Sequence, residues 1–290
     1  LAASENAMPL PRKISPVASS SLRSRAARRS LVVSSSSSIC SRIFATSAGE
    51  LRSTVGRGTP AATSAATALR HLDLPLPATG TILLNPNVTI TAPADQRITT
   101  HPGFVAGLVD VLLERGIERE RLIVGEGHGK PDEQEWARVS GFTDGLAPLG
   151  LDLINLDNAG GIEVDIPDGV VFQKLTFCRQ VTECAFYINV PVAKCHNLSL
   201  TTLAMKNTQG TVLSPQRHMC SVQAEDQPFA ERAWEMTDRG YSLHEERFCH
   251  KQSDKAVARL QMGIPQLSIV DGLIGRDGTG FNQGDNRPLG

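Results

Sequence analysis

The side chains best suited to chemistry lie in one stretch, residues 188–210. Lys194 and His196 follow a strand-like apolar run, and Lys206 is followed directly by Asn207. Ammonium groups bind anions, and an imidazole serves as a general base or a metal ligand, so these types suit the binding of an acid and the transfer of a proton. We therefore predict that Lys194, His196, Lys206 and Asn207 are catalytic residues.

Short apolar runs alternate with helical segments along residues 69–290. The runs TILL, LIV, LINL and FYINV have the length and composition of buried strands. Apolar residues at helical spacing follow Thr100-His101-Pro102, a typical helix start. This alternation predicts an α/β fold, a mostly parallel sheet with helices on both faces. Within the runs IEVDIP and VVFQKLTF, apolar and polar residues alternate, which predicts a small antiparallel β insertion.

Ligands of such sheets bind beyond the carboxyl ends of the strands. Polar residues at or just after these ends are therefore expected on one rim: Asn87, Glu126, His128, Asp157, Lys194, His196, Lys206, Asn207 and Asp271. Of the residues near strand ends and in glycine-rich segments, we predict as cofactor-binding Asn87, Gly125, Glu126, Gly127 and Gly278. The glycines at 125, 127 and 129 match neither nucleotide-binding fingerprint, and the glycine-rich segment after Asp271 is expected to be a loop that wraps a ligand.

Several of these residues also have a purely structural interpretation. His101 is expected to make a hydrogen bond at a helix start. Lys206 and Asn207 could form an ordinary helix end, and Asp271 could be a turn former. Convergence on one rim is what favours the functional interpretation.

The first part of the chain differs in composition from the rest. Residues 1–68 contain nine Lys or Arg, two acidic residues and sixteen Ser, which leaves 20 basic and 28 acidic residues for residues 69–290. We predict a disordered, cleaved leader over 1–68 of the mitochondrial or plastid type, followed by a single domain over 69–290 that continues beyond Gly290. Export by a twin-arginine signal built on Arg28 and Arg29 is the alternative.

Composition also limits the partners. A folded part with a net charge of about −8 and few aromatic residues does not suit nucleic acid, and no apolar run is long enough for a membrane span. The six cysteines have neither a disulfide-scaffold density nor a Cys-x-x-Cys spacing. A small anionic molecule is the expected partner.

A set of motifs occurs in a fixed order: Asn85-Pro86-Asn87, Thr100-His101-Pro102, Val124-Gly125-Glu126, Asn189 to His196, Lys206-Asn207 with Gly210, His218, and Val270-Asp271-Gly272 leading to Asp277-Gly278. Over roughly residues 81–290 the chain resembles the family called domain of unknown function 362. Relatives usually carry a lysine at the position of Asn85.

The resemblance implies an association with redox chemistry, because many relatives carry a ferredoxin-like four-cysteine segment. Residues 1–290 contain no such segment, so an iron–sulfur cluster would lie outside them or on a ferredoxin-like partner. The first hypothesis is thus a metal-dependent or iron–sulfur-associated enzyme acting on a small anionic substrate, with a divalent ion bound by His196, His218 and Asp271. The alternative is a non-catalytic binding module for an anionic metabolite, with Lys194 and Lys206 as its cations.

Overall fold

A computed structural model of the 290-residue chain describes residues 31–33, 60–127, 132–196, 200–213, 216–217, 242–280 and 282–289. The strands are β1 (Leu31–Val33), β2 (Ile82–Pro86), β3 (Leu122–Glu126), β4 (Leu153–Asn155), β5 (Gly161–Asp165), β6 (Lys174–Cys178), β7 (Phe186–Val190), β8 (Val192–His196), β9 (Leu200–Thr202), β10 (Leu267–Ile269), β11 (Asp271–Asp277) and β12 (Asp285–Pro288). The helices are α1 (Pro60–Arg70), α2 (Pro102–Glu114), α3 (Glu133–Val139), α4 (Phe142–Leu146), α5 (Arg179–Glu183), α6 (Ala204–Asn207) and α7 (Ser242–Met262).

A parallel sheet forms the centre of the described structure. Its strands lie in the order β1-β10-β7-β2-β3-β4, and each neighbouring pair is parallel. Five of these strands follow residue 80, and the three-residue β1 adds to the edge beside β10. The predicted α/β fold is confirmed. The predicted antiparallel insertion is confirmed as well, since β5 and β6 form an antiparallel ribbon.

Both faces of the parallel sheet are covered. On β2, Ile82 and Leu84 pack with the apolar side chains of α1, α2, α3 and α4. Leu83 points to the opposite face, because successive strand residues alternate, and there it packs with Tyr187 and with Val181 of α5. Ile82, Leu83 and Leu84 are therefore divided between two separate cores.

Two strands of the parallel sheet continue directly into a second sheet. Pro191 alone separates β7 from β8, and Val270 alone separates β10 from β11. β8 and β11 pair in parallel, with β9 and β12 antiparallel on their outer sides. Lys194 and His196 follow β7 in the sequence, and they lie on the separate strand β8.

The segment after Asp271 forms a hairpin. The prediction that this segment is a loop is wrong, because β11 and β12 pair antiparallel over Ile274 to Asp277. At Gly275, an added Cβ would lie 2.5 Å from the Leu289 side chain. Glycine therefore permits close packing here rather than backbone freedom.

The folded part begins earlier than the sequence suggested. α1 starts at Pro60 and packs on α2, where a Cβ at Gly107 would lie 2.2 Å from the carbonyl oxygen of Ala62. The predicted boundary after residue 68 falls inside this helix. Among the helices that the structure describes, none has both the length and the apolar character that crossing a membrane requires.

Candidate functional site

Polar side chains are buried at the carboxyl edge of the parallel sheet. β2 ends beside Asn85 and Asn87, β3 ends at Glu126, and β7 carries Asn189 near its end. All four side chains are buried. Buried polar groups cost free energy unless they are hydrogen-bonded, so their partners decide what this edge can do.

Lys194 reaches this edge from β8. It is 5 % exposed, and its Nζ donates to Asn87 Oδ1 and to the carbonyl oxygen of Ile98, each at 2.5 Å. Burial, and then the nearby Lys206 ammonium, lower the pKa of Lys194 to about 7, and the Glu126 carboxylate partly offsets both effects. Lys206 and Glu126 therefore both lie within electrostatic reach of Lys194.

Glu126 is the buried acid of the site, with 1 % exposure. Its carboxylate accepts from the backbone N–H groups of Gly127 at 2.9 Å and of Val88 at 3.4 Å. Burial raises the pKa of Glu126 to about 7, against the opposing effects of the Arg217 guanidinium and of these hydrogen bonds. The group is thus suited to proton exchange near neutral pH.

Close packing fixes the position of Glu126. A Cβ at Gly210 would lie 1.7 Å from Glu126 Oε1, and a Cβ at Gly127 would lie 2.1 Å from the carbonyl oxygen of Gly210. The glycine of the Lys-Asn-x-x-Gly motif is therefore needed for contact with the carboxylate. Gly125, predicted to approach a cofactor, packs on the protein itself, since a Cβ there would lie 2.5 Å from the Leu156 side chain.

A network of amides joins β2, β7 and α6. Asn207 Nδ2 donates to the backbone oxygen of Asn85 at 3.1 Å and to Asn189 Oδ1 at 2.7 Å. Asn85 Nδ2 donates to the carbonyl of Gly125 at 2.8 Å, and its Oδ1 accepts from the Tyr187 hydroxyl at 2.8 Å. α6 thereby holds Asn207 against the ends of both strands.

Lys206 lies beside Asn207 on the same short helix and is half-buried. Its Nζ donates to Gln209 Oε1 at 2.9 Å, and Gln209 in turn donates to the backbone of Arg217 at 2.6 Å. Arg217 binds Asp157 through both terminal nitrogens, one of them at 2.8 Å. The second predicted lysine is therefore connected to the predicted rim residue Asp157.

Asp271 lies at the start of β11 and is fully buried. Its Oδ2 accepts from the backbone N–H of His101 at 2.9 Å and lies 3.8 Å from Arg97. Burial raises the pKa of Asp271, and Arg97 opposes this. The carboxylate therefore binds the amino-terminus of α2. Ile98, which accepts from Lys194, lies four residues before this helix.

His101 caps α2, as its structural interpretation predicted. Its Nδ1 accepts from the backbone N–H of Gly103 at 3.0 Å. Burial, and then the Arg97 guanidinium, lower the pKa of His101 to about 4. The helix-start interpretation of His101 is confirmed.

The predicted metal ligands do not come together among the described residues. Asp271 pairs with Val192 on β8, whereas His196 lies four residues further along, about 13 Å by the rise of a strand. His218 and His128 lie outside the described residues. Within the described ranges, no group of three or more His, Cys, Asp and Glu side chains is arranged to hold a metal. The metal and iron–sulfur hypotheses stay predictions.

Gly278 lies in the turn between β11 and β12. A Cβ there would lie 2.5 Å from the carbonyl oxygen of Gln283, so the glycine allows the two sides of the turn to approach. Arg276 pairs with Lys194 across the sheet, which puts Gly278 two residues beyond the lysine's partner. Its predicted role in cofactor binding stays a prediction.

Sequence reasoning missed Arg217 and Tyr187. No motif marks either residue, because their contacts with Asp157 and Asn85 join segments 60 and 102 residues apart. The available signal was indirect: two acids expected at one edge, Glu126 and Asp157, require a nearby cation if they are buried. That requirement does not say which arginine supplies it.

Comparison with known proteins identifies a relative and a family for this chain. The chain is 26 % identical over 216 residues to a thylakoid-associated protein of the cyanobacterium Synechocystis sp.. The match covers 72 % of this chain and 56 % of that protein, so the chain spans little more than half the length of the relative. The family model described as a domain of unknown function, DUF362, matches residues 82–290. The chain therefore belongs to the DUF362 family.

Proposed function

We propose that this protein binds a small anionic organic molecule at the carboxyl edge of its parallel sheet and acts on it by proton transfer. The observation that carries the proposal is the proximity of two ammonium groups, Lys194 and Lys206, in a largely buried polar site. Their repulsion contributes to the lowered pKa of Lys194. An anion that contacts both lysines would relieve this repulsion, so its binding stabilises the folded state.

Glu126 is the group that we assign to proton transfer. It lies within electrostatic reach of Lys194, and its pKa of about 7 allows both protonation states near neutral pH. In this mechanism the lysines hold the acid group of the ligand, and Glu126 removes a proton from the ligand or returns one to it. The alternative, a binding module without catalysis, needs the lysines but not Glu126.

Anion binding is tested by thermal unfolding of the wild-type chain with phosphate, carboxylic acids and phosphate monoesters. A ligand at about 100 times its Kd stabilises by about 2.7 kcal/mol, which is a rise in Tm of about 5–10 °C. We expect Lys206→Met to abolish this rise. Lys174→Met is the matched control, because Lys174 is exposed on β6 and pairs with Glu163 and Asp165. An unchanged response in Lys206→Met contradicts the proposal.

Proton transfer is tested by incubating each bound acid with the protein in D₂O and following loss of its C–H signals by NMR. We expect exchange with the wild type and none with Glu126→Gln, although the variant still binds the acid. Exchange that persists in Glu126→Gln excludes this residue as the base. Binding without exchange for every ligand favours the non-catalytic module.

We further propose a plastid location. Support comes from the leader-like composition of residues 1–68 and from the thylakoid association stated for the cyanobacterial relative. A fusion of residues 1–68 to a fluorescent protein, expressed in plant cells, tests the address. Mitochondrial signal, or import that persists after all nine basic residues are replaced by Gln, contradicts it.

A further inference from the structure

Asn207 has a buried oxygen atom that its surroundings do not satisfy. The residue is 2 % exposed, and its Oδ1 has no hydrogen-bond partner among the described residues. Its Nδ2, in contrast, donates to both Asn85 O and Asn189 Oδ1. A buried acceptor left in this state destabilises the folded chain unless a donor reaches it.

Turning the amide of Asn207 does not remove this mismatch. Asn85 presents a backbone carbonyl, which only accepts. Asn189 presents its side-chain oxygen, because its own Nδ2 donates to the carbonyl of Ala204 at 2.9 Å and to Ser268 Oγ at 3.1 Å. A turned Asn207 would direct its oxygen at both of these oxygens. Backbone carbonyls therefore fix the orientation of the network.

The side chains that form the amide network have no donor to spare. Asn85 uses its Nδ2 on the carbonyls of Gly125 at 2.8 Å and of Pro86 at 3.4 Å. Tyr187 uses its single hydroxyl proton on Asn85 Oδ1 at 2.8 Å. The unmatched acceptor thus stays with Asn207, which follows Lys206 in the chain. Its partner Asn85 lies two residues before Asn87, the partner of Lys194.

We infer that the ligand of this site carries a hydrogen-bond donor, a hydroxyl, amine or amide N–H group, close to its acid group, and that Asn207 accepts this hydrogen bond. The inference rests on the proposed function, in which Lys206 binds the acid group. It narrows the ligand class from acids in general to hydroxylated or aminated acids, and it makes Asn207 a determinant of specificity.

The burial of Asn207 also limits how such a ligand enters. The strand ends below it are held by the hydrogen bonds of Asn85 and Asn189. α6 is only four residues long. Leu203, just before it, is 41 % exposed, and Met205, on it, is 62 % exposed. Entry therefore requires a shift of α6 rather than of the sheet.

The test compares the affinities of matched acids that differ by one hydroxyl group: succinate with malate, propionate with lactate, and propyl phosphate with 2-hydroxypropyl phosphate. Calorimetry on the full wild-type chain gives each Kd. We expect the hydroxylated member of the pair that fits to bind about 5–150 times more tightly, the range that corresponds to 1–3 kcal/mol. Asn207→Leu should lose this preference. Asn158→Leu is the control, because Asn158 is exposed and its side chain donates to Glu133 on the surface.

The outcomes separate this inference from the proposed function. Equal affinity within every pair, with binding still abolished in Lys206→Met, overturns the inference and leaves anion binding intact. A preference that persists in folded Asn207→Leu overturns the role of Asn207. If no acid binds, the proposed function fails and the inference fails with it. If Asn207→Leu does not fold, the preference of the wild-type chain for the hydroxylated acid decides whether the inference holds.

Discussion

Two buried carboxylates in this protein are held in different ways. Asp254 on α7 is 4 % exposed and accepts three backbone N–H groups, from Val170, Val171 and Phe172, at 2.7 to 3.0 Å. Glu126 is 1 % exposed and accepts two, one of them at 3.4 Å. Its other interactions are with the charged side chains of Arg217 and Lys194 and with the side-chain amide of Asn85.

The difference distinguishes a structural acid, Asp254, from the acid to which we assign a function, Glu126. Backbone donors hold Asp254 in one position and tie α7 to the loop before β6, so this carboxylate stabilises the fold. Glu126 is buried with fewer donors, and its pKa is raised to about 7 as a result. Perturbed acids of this kind cluster at functional sites, and the predictions below test whether the distinction holds.

The largest effect is expected for Asp254→Ala. Removal of the carboxylate leaves three backbone N–H groups without their acceptor, so the free energy of unfolding should fall by about 4 kcal/mol. Urea unfolding measures it, and Asp254→Asn, which keeps an acceptor oxygen, should lose less. Anion binding by the folded fraction should not change. A loss of ligand affinity in folded Asp254→Ala would contradict the purely structural role of Asp254.

Glu126→Gln should change the pH dependence of stability. The folded pKa of Glu126 is raised from 4.5 to about 7, so its contribution to stability is complete below pH 4.5 and is lost as the pH rises to 7. Gln cannot ionise and avoids this loss. Relative to wild type, the variant should therefore gain about 3 kcal/mol between pH 4.5 and pH 8, as measured by urea unfolding. Parallel pH curves for the two proteins would contradict the assignment.

A smaller effect is expected for Gly210→Ala. The new Cβ would overlap Glu126 Oε1, and the carboxylate must move away from Gly127 N. The cost should be about 2 kcal/mol, because a flexible side chain can give way. Glu126→Ala in the same chain should remove most of this cost, and a double-mutant cycle measures the coupling. Additive effects would show that Gly210 acts independently of Glu126.

The sequence predicted the elements of the fold better than the partners of the site residues. Alternation of short apolar runs with helices is a local signal, and it placed Asn87 and Glu126 at the correct edge. The hairpin after Asp271 was missed, because glycine there serves side-chain packing from Leu289. The amide network of Asn85, Asn189 and Asn207 depends on which carbonyls meet in three dimensions, which no spacing encodes.

The single residues Pro191 and Val270, which join β7 to β8 and β10 to β11, have a mechanical consequence. A one-residue connection leaves no length for a hinge, and two such connections lie side by side. Force applied at Lys194 by an incoming molecule is therefore passed straight into the central strands. The second sheet therefore cannot rotate as a rigid unit to close over a bound molecule. Binding of the proposed ligand would depend on small local movements around the two rigidly joined sheets.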